Sequence, residues 1–325
     1  MGGASSDATG DTTRHRGGPR VGMFLPRDVL NAGPGEWRLA LAAMADAGID
    51  FVAAADHVSF HTGWGIDGIV HATALGVIEP RLDVAIGVYL LPLRHPIPVA
   101  RQLVSLSQAI RPRPLEFGVG VGGEDRHEVE VCGVDPATRG RRADESLVVI
   151  RNALTGATFD HDGEFFSLRA ARISPAPPAP VTIVVGGRSE RALARAGRLG
   201  DGWLGVWSTP ERYRQRVEIV ERVAAEAGRT APAGGWRHGL QLWVGAGEGD
   251  RGRTPLARSI ESLYRLPFER FERFSPYGTP DAIVAALVPY VAAGCTSFSI
   301  SAQADDWRDA VACVGEVRRL LRTSR

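Results

Sequence analysis

The 325-residue sequence predicts a single TIM barrel, the closed (β/α)₈ arrangement of alternating strands and helices. Eight short apolar runs alternate with eight amphipathic stretches, the order that builds a parallel sheet. Several runs are almost entirely Val, Ile and Leu, as expected for strands that are covered on both faces. A typical barrel needs about 250 residues, so the chain has room for insertions, which we expect at the C-terminal strand ends.

The eight apolar runs are the predicted barrel strands. In chain order they are Val21–Leu25, Phe51–Ala54, Leu82–Val88, Leu115–Val121, Val181–Val185, Gly202–Val206, Leu240–Val244 and Ser297–Ile300. The competing architecture is an open, doubly wound sheet, in which a G-x-G-x-x-G turn would follow the first strand. Pro26, Arg27 and Asp28 follow it instead, so we favour the closed barrel.

The stretches between these runs have apolar residues at helical spacing and predict the helices that surround the barrel. They are Glu36–Ala47, Asp67–Ile78, Pro98–Ala109, Arg141–Leu154, Ser189–Leu199, Pro210–Ala227, Thr279–Ala293 and Trp307–Leu321. Residues 1–19 are mostly Gly, Ser, Thr, Asp and Arg, so we predict a disordered N-terminal tail and assign 20–325 to the barrel.

Two segments are longer than the connections of a simple barrel. Within 156–180, Thr158–Leu168 predicts a hairpin that turns at Asp162-Gly163, and Arg172–Pro180 carries four prolines back to the fifth strand. The segment 245–278 has several aromatic residues among its arginines: Tyr264, Phe268, Phe271, Phe274 and Tyr277. Such a segment is either a lid over a site or a surface helix with its own small apolar cluster, and the sequence leaves both open.

Composition excludes several classes of function. The formal net charge of +1 gives no general attraction to nucleic acid or anionic membranes, and no apolar run approaches the roughly 20 residues of a membrane span. All 38 basic residues are arginine, so no lysine nucleophile or Schiff base is available. Cys132, Cys295 and Cys313 have no metal-ligand spacing, and their odd number favours a reducing cytoplasm over a disulfide framework.

Two motifs are candidates for chemistry. Asp56-His57 follows the second predicted strand, at the barrel face where active sites form. An imidazole titrates near neutral pH, so His57 is a candidate for proton transfer; the alternative is a core histidine that Asp56 holds by a hydrogen bond. Gly186-Gly187-Arg188-Ser189 follows the fifth strand and begins a helix, where free N–H groups and the helix dipole favour a phosphate. Ser189 is also suited to cap that helix.

Further short motifs follow other strands, and their order and spacing resemble one family. They are LPLRHP at 91–96, GVGVGGE at 118–124, RGRRADE at 139–145, GDGW at 200–203 and Gly278-Thr279-Pro280. Together with the two motifs above, they make the chain similar to the bacterial-luciferase-like superfamily of flavin-dependent barrel oxidoreductases, over roughly Val21 to Ile300. The resemblance implies either reduced FMN used with O₂, or the deazaflavin coenzyme F420 used for hydride transfer.

The resemblance also implies roles for residues on two strands. His57 matches a histidine that lies beside the flavin ring and acts in proton transfer, with Asp56 next to it at the cofactor. Gly87-Val88 matches a site where many of these enzymes have a cis non-proline peptide bond that backs the ring. The alternative at Gly87-Val88 is an ordinary strand end at which glycine permits close packing.

Glu124 is the second candidate catalytic residue. In the resembled deazaflavin enzymes a glycine pair at this point touches the cofactor, and a neighbouring glutamate acts as an acid toward the substrate. The alternative for Glu124 is a carboxylate that stabilises a helix N-terminus. The cofactor contacts that the resemblance implies are Asp56, Gly87, Val88, Gly122, Gly123, Gly186, Gly187, Arg188 and Ser189.

We therefore expect an oxidoreductase, and we rank first a monooxygenase that uses reduced FMN and O₂ on a small organic molecule. The main alternative is an F420-dependent oxidoreductase that transfers hydride without O₂. Two other hypotheses are a non-catalytic flavin-binding barrel and an unrelated barrel lyase or isomerase that handles a sugar phosphate. The expected partners are a small-molecule substrate, a flavin reductase that supplies reduced cofactor, and a second copy of the chain in a homodimer.

Overall fold

Eight parallel strands close into a barrel in the computed structural model, which describes residues 18–61 and 63–323. The strands of this part of the chain are β1 (Arg20–Phe24), β2 (Phe51–Ala54), β3 (His57–Phe60), β4 (Trp64–Ile66), β5 (Asp83–Leu90), β6 (Leu115–Gly120), β7 (Phe159–Asp162), β8 (Ser167–Ala171), β9 (Val181–Gly186), β10 (Gly202–Val206), β11 (Gly239–Ala246), β12 (Tyr277–Gly278) and β13 (Ser297–Gln303). The barrel consists of β1, β2, β5, β6, β9, β10, β11 and β13, in that order around the ring.

Closure of the ring distinguishes this barrel from an open sheet. β13 pairs with β1 from Arg20 opposite Ser297, and β10 pairs with β11 from Leu204 opposite Gly239. Each of the eight strands therefore has a parallel neighbour on both sides, which removes the free edges of an open sheet. The predicted barrel and its eight strands are confirmed, and the doubly wound alternative is wrong.

The helices of the described chain are α1 (Arg27–Ala32), α2 (Pro34–Asp46), α3 (Gly68–Ile78), α4 (Pro96–Ile110), α5 (Arg126–Val131), α6 (Arg139–Leu154), α7 (Glu190–Leu199), α8 (Pro210–Glu226), α9 (Asp250–Tyr264), α10 (Pro280–Ala292) and α11 (Trp307–Thr323). The predicted helices correspond to α2, α3, α4, α6, α7, α8, α10 and α11. The additional helices α1, α5 and α9 each lie in the loop after a barrel strand. Thr209 and Thr279 cap α8 and α10 by accepting backbone N–H groups, and a proline follows each.

The segment 156–180 contains the predicted hairpin, formed by antiparallel β7 and β8. Because Asp162 pairs with Ser167, the turn comprises 163–166 rather than Asp162-Gly163. The position of the insertion also corrects the prediction, since it enters between α6 and β9, ahead of a strand rather than at a C-terminal strand end. Glu145 of α6 explains this position, because its carboxylate accepts two backbone N–H groups from the turn and holds the hairpin against the helix.

The roof segment, residues 245–278, forms α9, two short 3₁₀ turns and β12. Its apolar side chains pack against two tryptophans from the strand ends in a cluster separate from the main core: Trp207, Trp243, Leu256, Ile260, Phe268 and Phe271. The rings of Trp207 and Trp243 stack with centroids 4.5 Å apart. The expectation of a helix with its own apolar cluster is confirmed, while movement of the roof segment as a lid stays a prediction.

The predicted tail, residues 1–19, lies outside the described residues except for Gly18 and Pro19. Pro19 is buried beside the first residue of β1, so the packed part of the chain includes at least the last residue assigned to that tail. Within the described residues, no helix combines the length and the apolar character that a membrane span requires.

Candidate functional site

A cavity of about 350 Å³ opens at the C-terminal ends of the barrel strands. Its walls come from the ends of β1, β2, β5, β6, β9, β11 and β13, from the β3–β4 hairpin and from α9. All but one of the predicted site residues line it: His57, Glu124, Asp56, Gly87, Val88, Gly122, Gly123, Gly186, Gly187 and Arg188. Ser189 is the exception. The structure thus brings residues from four separate strand ends into one space.

His57 is held by Glu128, a residue that the sequence did not identify. The His57 Nδ1 atom lies 3.2 and 3.1 Å from the two carboxylate oxygens of Glu128. Glu128 is buried on α5, and its Oε1 also accepts the N–H groups of Val58 at 2.7 Å and Ser59 at 3.2 Å. Burial alone would raise the pKa of Glu128, but these hydrogen bonds and the adjacent imidazole lower it. Nδ1 is therefore engaged, and Nε2 remains for chemistry.

Asp56 pairs with Arg94 and not with His57, the partner that the sequence suggested. Its carboxylate accepts two short hydrogen bonds from Arg94, at 2.6 and 2.8 Å, and the N–H groups of Leu90 and Gly68 at 2.8 and 2.9 Å. The hypothesis of a core histidine held by Asp56 is wrong, because Glu128 is the partner of His57. Asp56 instead ties the end of β2 to β5 and to the start of α3, with both carboxylate oxygens already engaged.

The floor of the cavity includes the peptide bond between Gly87 and Val88, which is cis. The pairing of β5 with β6 shifts in register between Ile86 and Tyr89, so the strand bulges at this bond. The Val88 side chain occupies space that glycine leaves on the neighbouring strand, because a Cβ at Gly120 would lie 2.5 Å from Val88 Cγ2. The cis bond that the resemblance implied is confirmed.

The loop after β9, the cradle in which we predict a phosphate, is shaped by Gly187. Gly187 has φ of +123°, and a Cβ there would lie 2.7 Å from the Cβ of Ala192 on α7. The indole N–H of Trp203 donates to the Gly187 carbonyl at 2.7 Å and fixes the loop. Ser189 caps α7 by accepting the N–H of Ala192 at 3.2 Å. The capping role of Ser189 is confirmed, and its contact with a cofactor stays a prediction.

Three arginine side chains lie around this cradle. Arg188 stands exposed at the start of α7, and Arg212 and Arg216 lie near it on α8. Burial and the two neighbouring guanidinium groups lower the pKa of Arg216. Such mutual repulsion decreases when an anion binds between the groups, so the region is suited to a phosphate.

Glu124 lies at the mouth of the cavity, where its side chain is exposed. The surrounding protein still removes enough water to raise the pKa of its carboxyl, and nearby His57 and Arg188 only partly offset this. The alternative role of capping a helix belongs to the next residue, since Asp125 accepts the N–H of His127 at 2.9 Å at the start of α5. Glu124 therefore remains available to a ligand.

Tyr264 is a second cavity residue that the sequence did not identify as a site residue. It is the last residue of α9, and its ring meets Trp207 and Trp243 edge-on at 5.6 and 5.7 Å. Burial and the nearby charge of Glu124 raise its pKa well above the usual value, so the hydroxyl stays a hydrogen-bond donor at neutral pH. In the sequence, Glu128 stands in a run of charged residues and Tyr264 in an aromatic segment. Neither pattern marks these residues as part of a site.

Comparison with known proteins assigns the family. The profile of the luciferase-like monooxygenase family matches residues 20–251. The chain belongs to this family. An uncharacterised protein of Mycobacterium tuberculosis is 38% identical over 226 residues, which cover 69% of each chain. The resemblance that the sequence motifs indicated is confirmed.

Other relatives in the luciferase-like family have named activities. Limonene 1,2-monooxygenase of Rhodococcus erythropolis is 31% identical over 162 residues, covering 48% of this chain and 41% of that protein. F420-dependent glucose-6-phosphate dehydrogenase of Mycolicibacterium fortuitum is 28% identical over 222 residues, covering 64% of this chain and 62% of that protein. Relatives of this chain thus include both a monooxygenase and an F420-dependent oxidoreductase.

Solved structures share the fold. An F420-dependent secondary alcohol dehydrogenase superposes with a TM-score of 0.81 at 18% identity, covering 94% of this chain and 99% of that one. The oxygenating constituent of 3,6-diketocamphane monooxygenase from Pseudomonas putida, in complex with FMN, gives 0.72 at 18% identity over 93% and 98% of the two chains. At this identity the likeness establishes the luciferase-like barrel and no specific activity.

Proposed function

We propose that this protein binds coenzyme F420 in the barrel cavity and transfers hydride between the coenzyme and an alcohol or carbonyl compound. The cavity suits such a group in two ways. Gly87, Gly122 and Gly123 add no side chains to the cavity wall, so a flat ring can approach the backbone there, and the arginines around the α7 start suit its phosphate. When bound, the coenzyme supplies the hydride donor or acceptor.

The observation that carries this proposal is the presence of two titratable groups, His57 and Glu124, in one largely apolar cavity. In alcohol oxidation, a hydride leaves the carbinol carbon and the hydroxyl proton must also be removed. His57 would take that proton at Nε2, and the Glu128 carboxylate would stabilise the imidazolium through Nδ1. In the reverse direction the same imidazolium returns the proton to the carbonyl oxygen. Glu124 is a second acid within the same space.

Residue contacts to the coenzyme follow from the cavity lining. Gly87, Val88, Gly122 and Gly123 would lie along the ring, with Asp56 holding the strand ends in register behind it. The Gly186–Ser189 loop would hold the phosphate through backbone N–H groups and the Arg188 side chain. These contacts rest on the lining residues and on the family.

A monooxygenase that uses reduced FMN and O₂ is the second candidate, and the match to limonene 1,2-monooxygenase favours it. The sequence alone ranked this function first. We now rank the F420-dependent function first, because the His57–Glu128 pair and Glu124 provide the proton transfers that hydride chemistry on a carbonyl requires. The FMN candidate requires a flavin reductase as a partner, which the F420 candidate does not.

We also propose a homodimer formed through α2 and α3. Leu39 on α2 and Val70 and Val77 on α3 are 54%, 66% and 59% exposed, so these two helices present apolar surface that a second copy would cover. Light scattering on the purified protein tests this proposal, and Val77→Arg should shift the mass to that of a monomer. The unpaired thiols of Cys132, Cys295 and Cys313 support a reducing compartment such as the cytoplasm.

A paired titration of the purified protein tests the function. F420 and anaerobic FMNH₂ are added separately, and binding is followed by absorbance and fluorescence. Preferential F420 binding, followed by F420-dependent oxidation of alcohols without O₂, is the expected result. Preferential FMNH₂ binding would instead establish the monooxygenase candidate. Binding of neither would return the protein to the sugar-phosphate lyase or isomerase hypothesis, and binding without any turnover that His57→Ala reduces would make it a non-catalytic barrel.

A further inference from the structure

The cavity has two opposite halves, which the order of the strands defines. β9 carries the phosphate cradle, and β1 lies four strands away from it in either direction around the ring. A coenzyme anchored at β9 with its ring on the β5 floor therefore leaves the side formed by β1, β2 and their following loops for the substrate. We call this side the β1–β2 half.

The side chains of the β1–β2 half are mainly apolar. Leu25 and Leu30 come from the loop after β1 and from α1, and Phe60, Trp64 and Ile66 come from the β3–β4 hairpin. The Phe60 ring also packs against the imidazole of His57, with centroids 4.1 Å apart. The candidate proton-transfer group thus adjoins a hydrocarbon surface.

Among the described residues that line the β1–β2 half, Arg27 is the one arginine. The Arg27 guanidinium donates to the Ser262 hydroxyl of α9 at 3.0 Å. His71, which α3 contributes to the cavity wall, is buried, and burial lowers its pKa to about 4. His71 is therefore uncharged at neutral pH. An anionic substrate would lose its water among these mainly apolar side chains, which costs free energy unless a charged partner compensates for it.

We propose that the substrate is an uncharged, apolar alcohol or ketone, whose oxygen meets His57 and whose hydrocarbon part fills the β1–β2 half. This inference rests on the proposed function, because the coenzyme defines which half is left free. It separates this chain from the relatives named as glucose-6-phosphate dehydrogenases, whose named substrate is a sugar phosphate. The apolar side chains contribute binding energy only to a ligand with hydrocarbon to bury.

Calorimetric titration of the coenzyme-loaded protein with matched ligands tests the proposal. The ligands are tert-butylcyclohexanone, tert-butylcyclohexanecarboxylate, which has a similar shape and a negative charge, and glucose 6-phosphate. We expect the ketone to bind at least about tenfold more tightly than either anion at neutral pH. Equal or tighter binding of the carboxylate or the sugar phosphate would overturn the proposal, and loss of that binding in Arg27→Gln would identify the cation responsible.

A variant links the preference to the β1–β2 half. Leu30→Glu should weaken ketone binding about tenfold and leave coenzyme binding unchanged. Val288→Glu is the matched control, because Val288 is a 44% exposed residue of α10 that does not line the cavity. Undiminished ketone affinity in folded Leu30→Glu would refute the assignment of this half. The ligand comparison on the native protein needs no variant to fold.

Measuring coenzyme binding before substrate binding distinguishes a failure of the substrate class from a failure of the proposed function. Coenzyme binding is measured first, so a protein that binds neither F420 nor FMNH₂ refutes both proposals. A protein that binds coenzyme but prefers an anionic ligand refutes the substrate class alone. A protein that binds coenzyme and prefers the ketone supports both.

Discussion

Replacing Glu128 by glutamine should reduce kcat about 100-fold and leave coenzyme affinity within about threefold of the native value. Glutamine keeps an acceptor for the N–H groups of Val58 and Ser59, at 2.7 and 3.2 Å, so the β3 backbone should stay in place. What the substitution removes is the negative charge 3.1 Å from His57 Nδ1. The change therefore isolates the effect of the carboxylate on the imidazole.

The size of this effect follows from what Glu128 does. Acid–base catalysis by one side chain contributes about 10²–10⁴-fold, and loss of an orienting partner costs about 10–100-fold. A carboxamide at this site can also donate to Nδ1, which would favour the ring tautomer that carries its proton on Nε2 and cannot accept a substrate proton there. A 100-fold loss is equivalent to about 2.7 kcal/mol of transition-state stabilisation.

Steady-state turnover, followed by the visible absorbance of the deazaflavin, measures this prediction. Glu130→Gln is the matched control, because Glu130 lies on the same helix, is exposed and pairs with Arg126 at 2.7 Å. Glu128→Gln combined with His57→Ala should be no slower than His57→Ala alone, since both act on one group. Native kcat in Glu128→Gln, or additive losses in the double variant, would refute the role of the pair.

Gly187, His71 and Glu124 provide the remaining tests. Gly187→Val should weaken coenzyme binding at least about tenfold, or about 1.4 kcal/mol, because a side chain there meets Ala192 and φ is +123°. His71 has a pKa of about 4 in the fold against 6.5 ordinarily, so the unfolded chain takes up the proton first as pH falls. The free energy of unfolding should therefore fall by up to about 3 kcal/mol between pH 6.5 and about 4, and His71→Leu should flatten this dependence. Burial raises the pKa of Glu124, the second acid in the cavity, so ketone reduction should lose the contribution of Glu124 as pH rises through that raised value, and Glu124→Gln should remove this part of the pH dependence.

The controls for these variants use other parts of the chain. Gly133→Val also places a branched side chain at a positive φ, +71°, but outside the cavity, and should leave coenzyme affinity unchanged. Native affinity in folded Gly187→Val would remove the phosphate assignment. Urea unfolding across the pH series measures the His71 effect, and a slope in His71→Leu equal to that of the native chain would contradict it. If Glu124→Gln leaves the pH profile of ketone reduction unaltered, the loss of rate at high pH belongs to another group.

Local sequence patterns predicted the barrel because the apolar residues of each strand and helix show which of its faces are buried. Runs such as Val181–Val185 are mainly apolar, since helices cover the outer face of each barrel strand and the packed interior covers the inner face. The start of α7 could also be anticipated, because a serine cap and two glycines act within a few residues of each other. The hairpin at 156–180 was found by its turn residues, but its position depended on the distant Glu145 carboxylate.

The sequence by itself determined the fold, the cavity face and ten of the residues that line it, because barrel strands deliver their C-terminal ends to one side. Only the tertiary structure decided which groups meet there. Glu128 is 71 residues from His57, and Arg94 is 38 residues from Asp56, so no local spacing connects either pair. The opposition of β1 to β9, on which the proposed separation of substrate from phosphate depends, is likewise a property of ring closure, since the two strands become opposite only when all eight are joined.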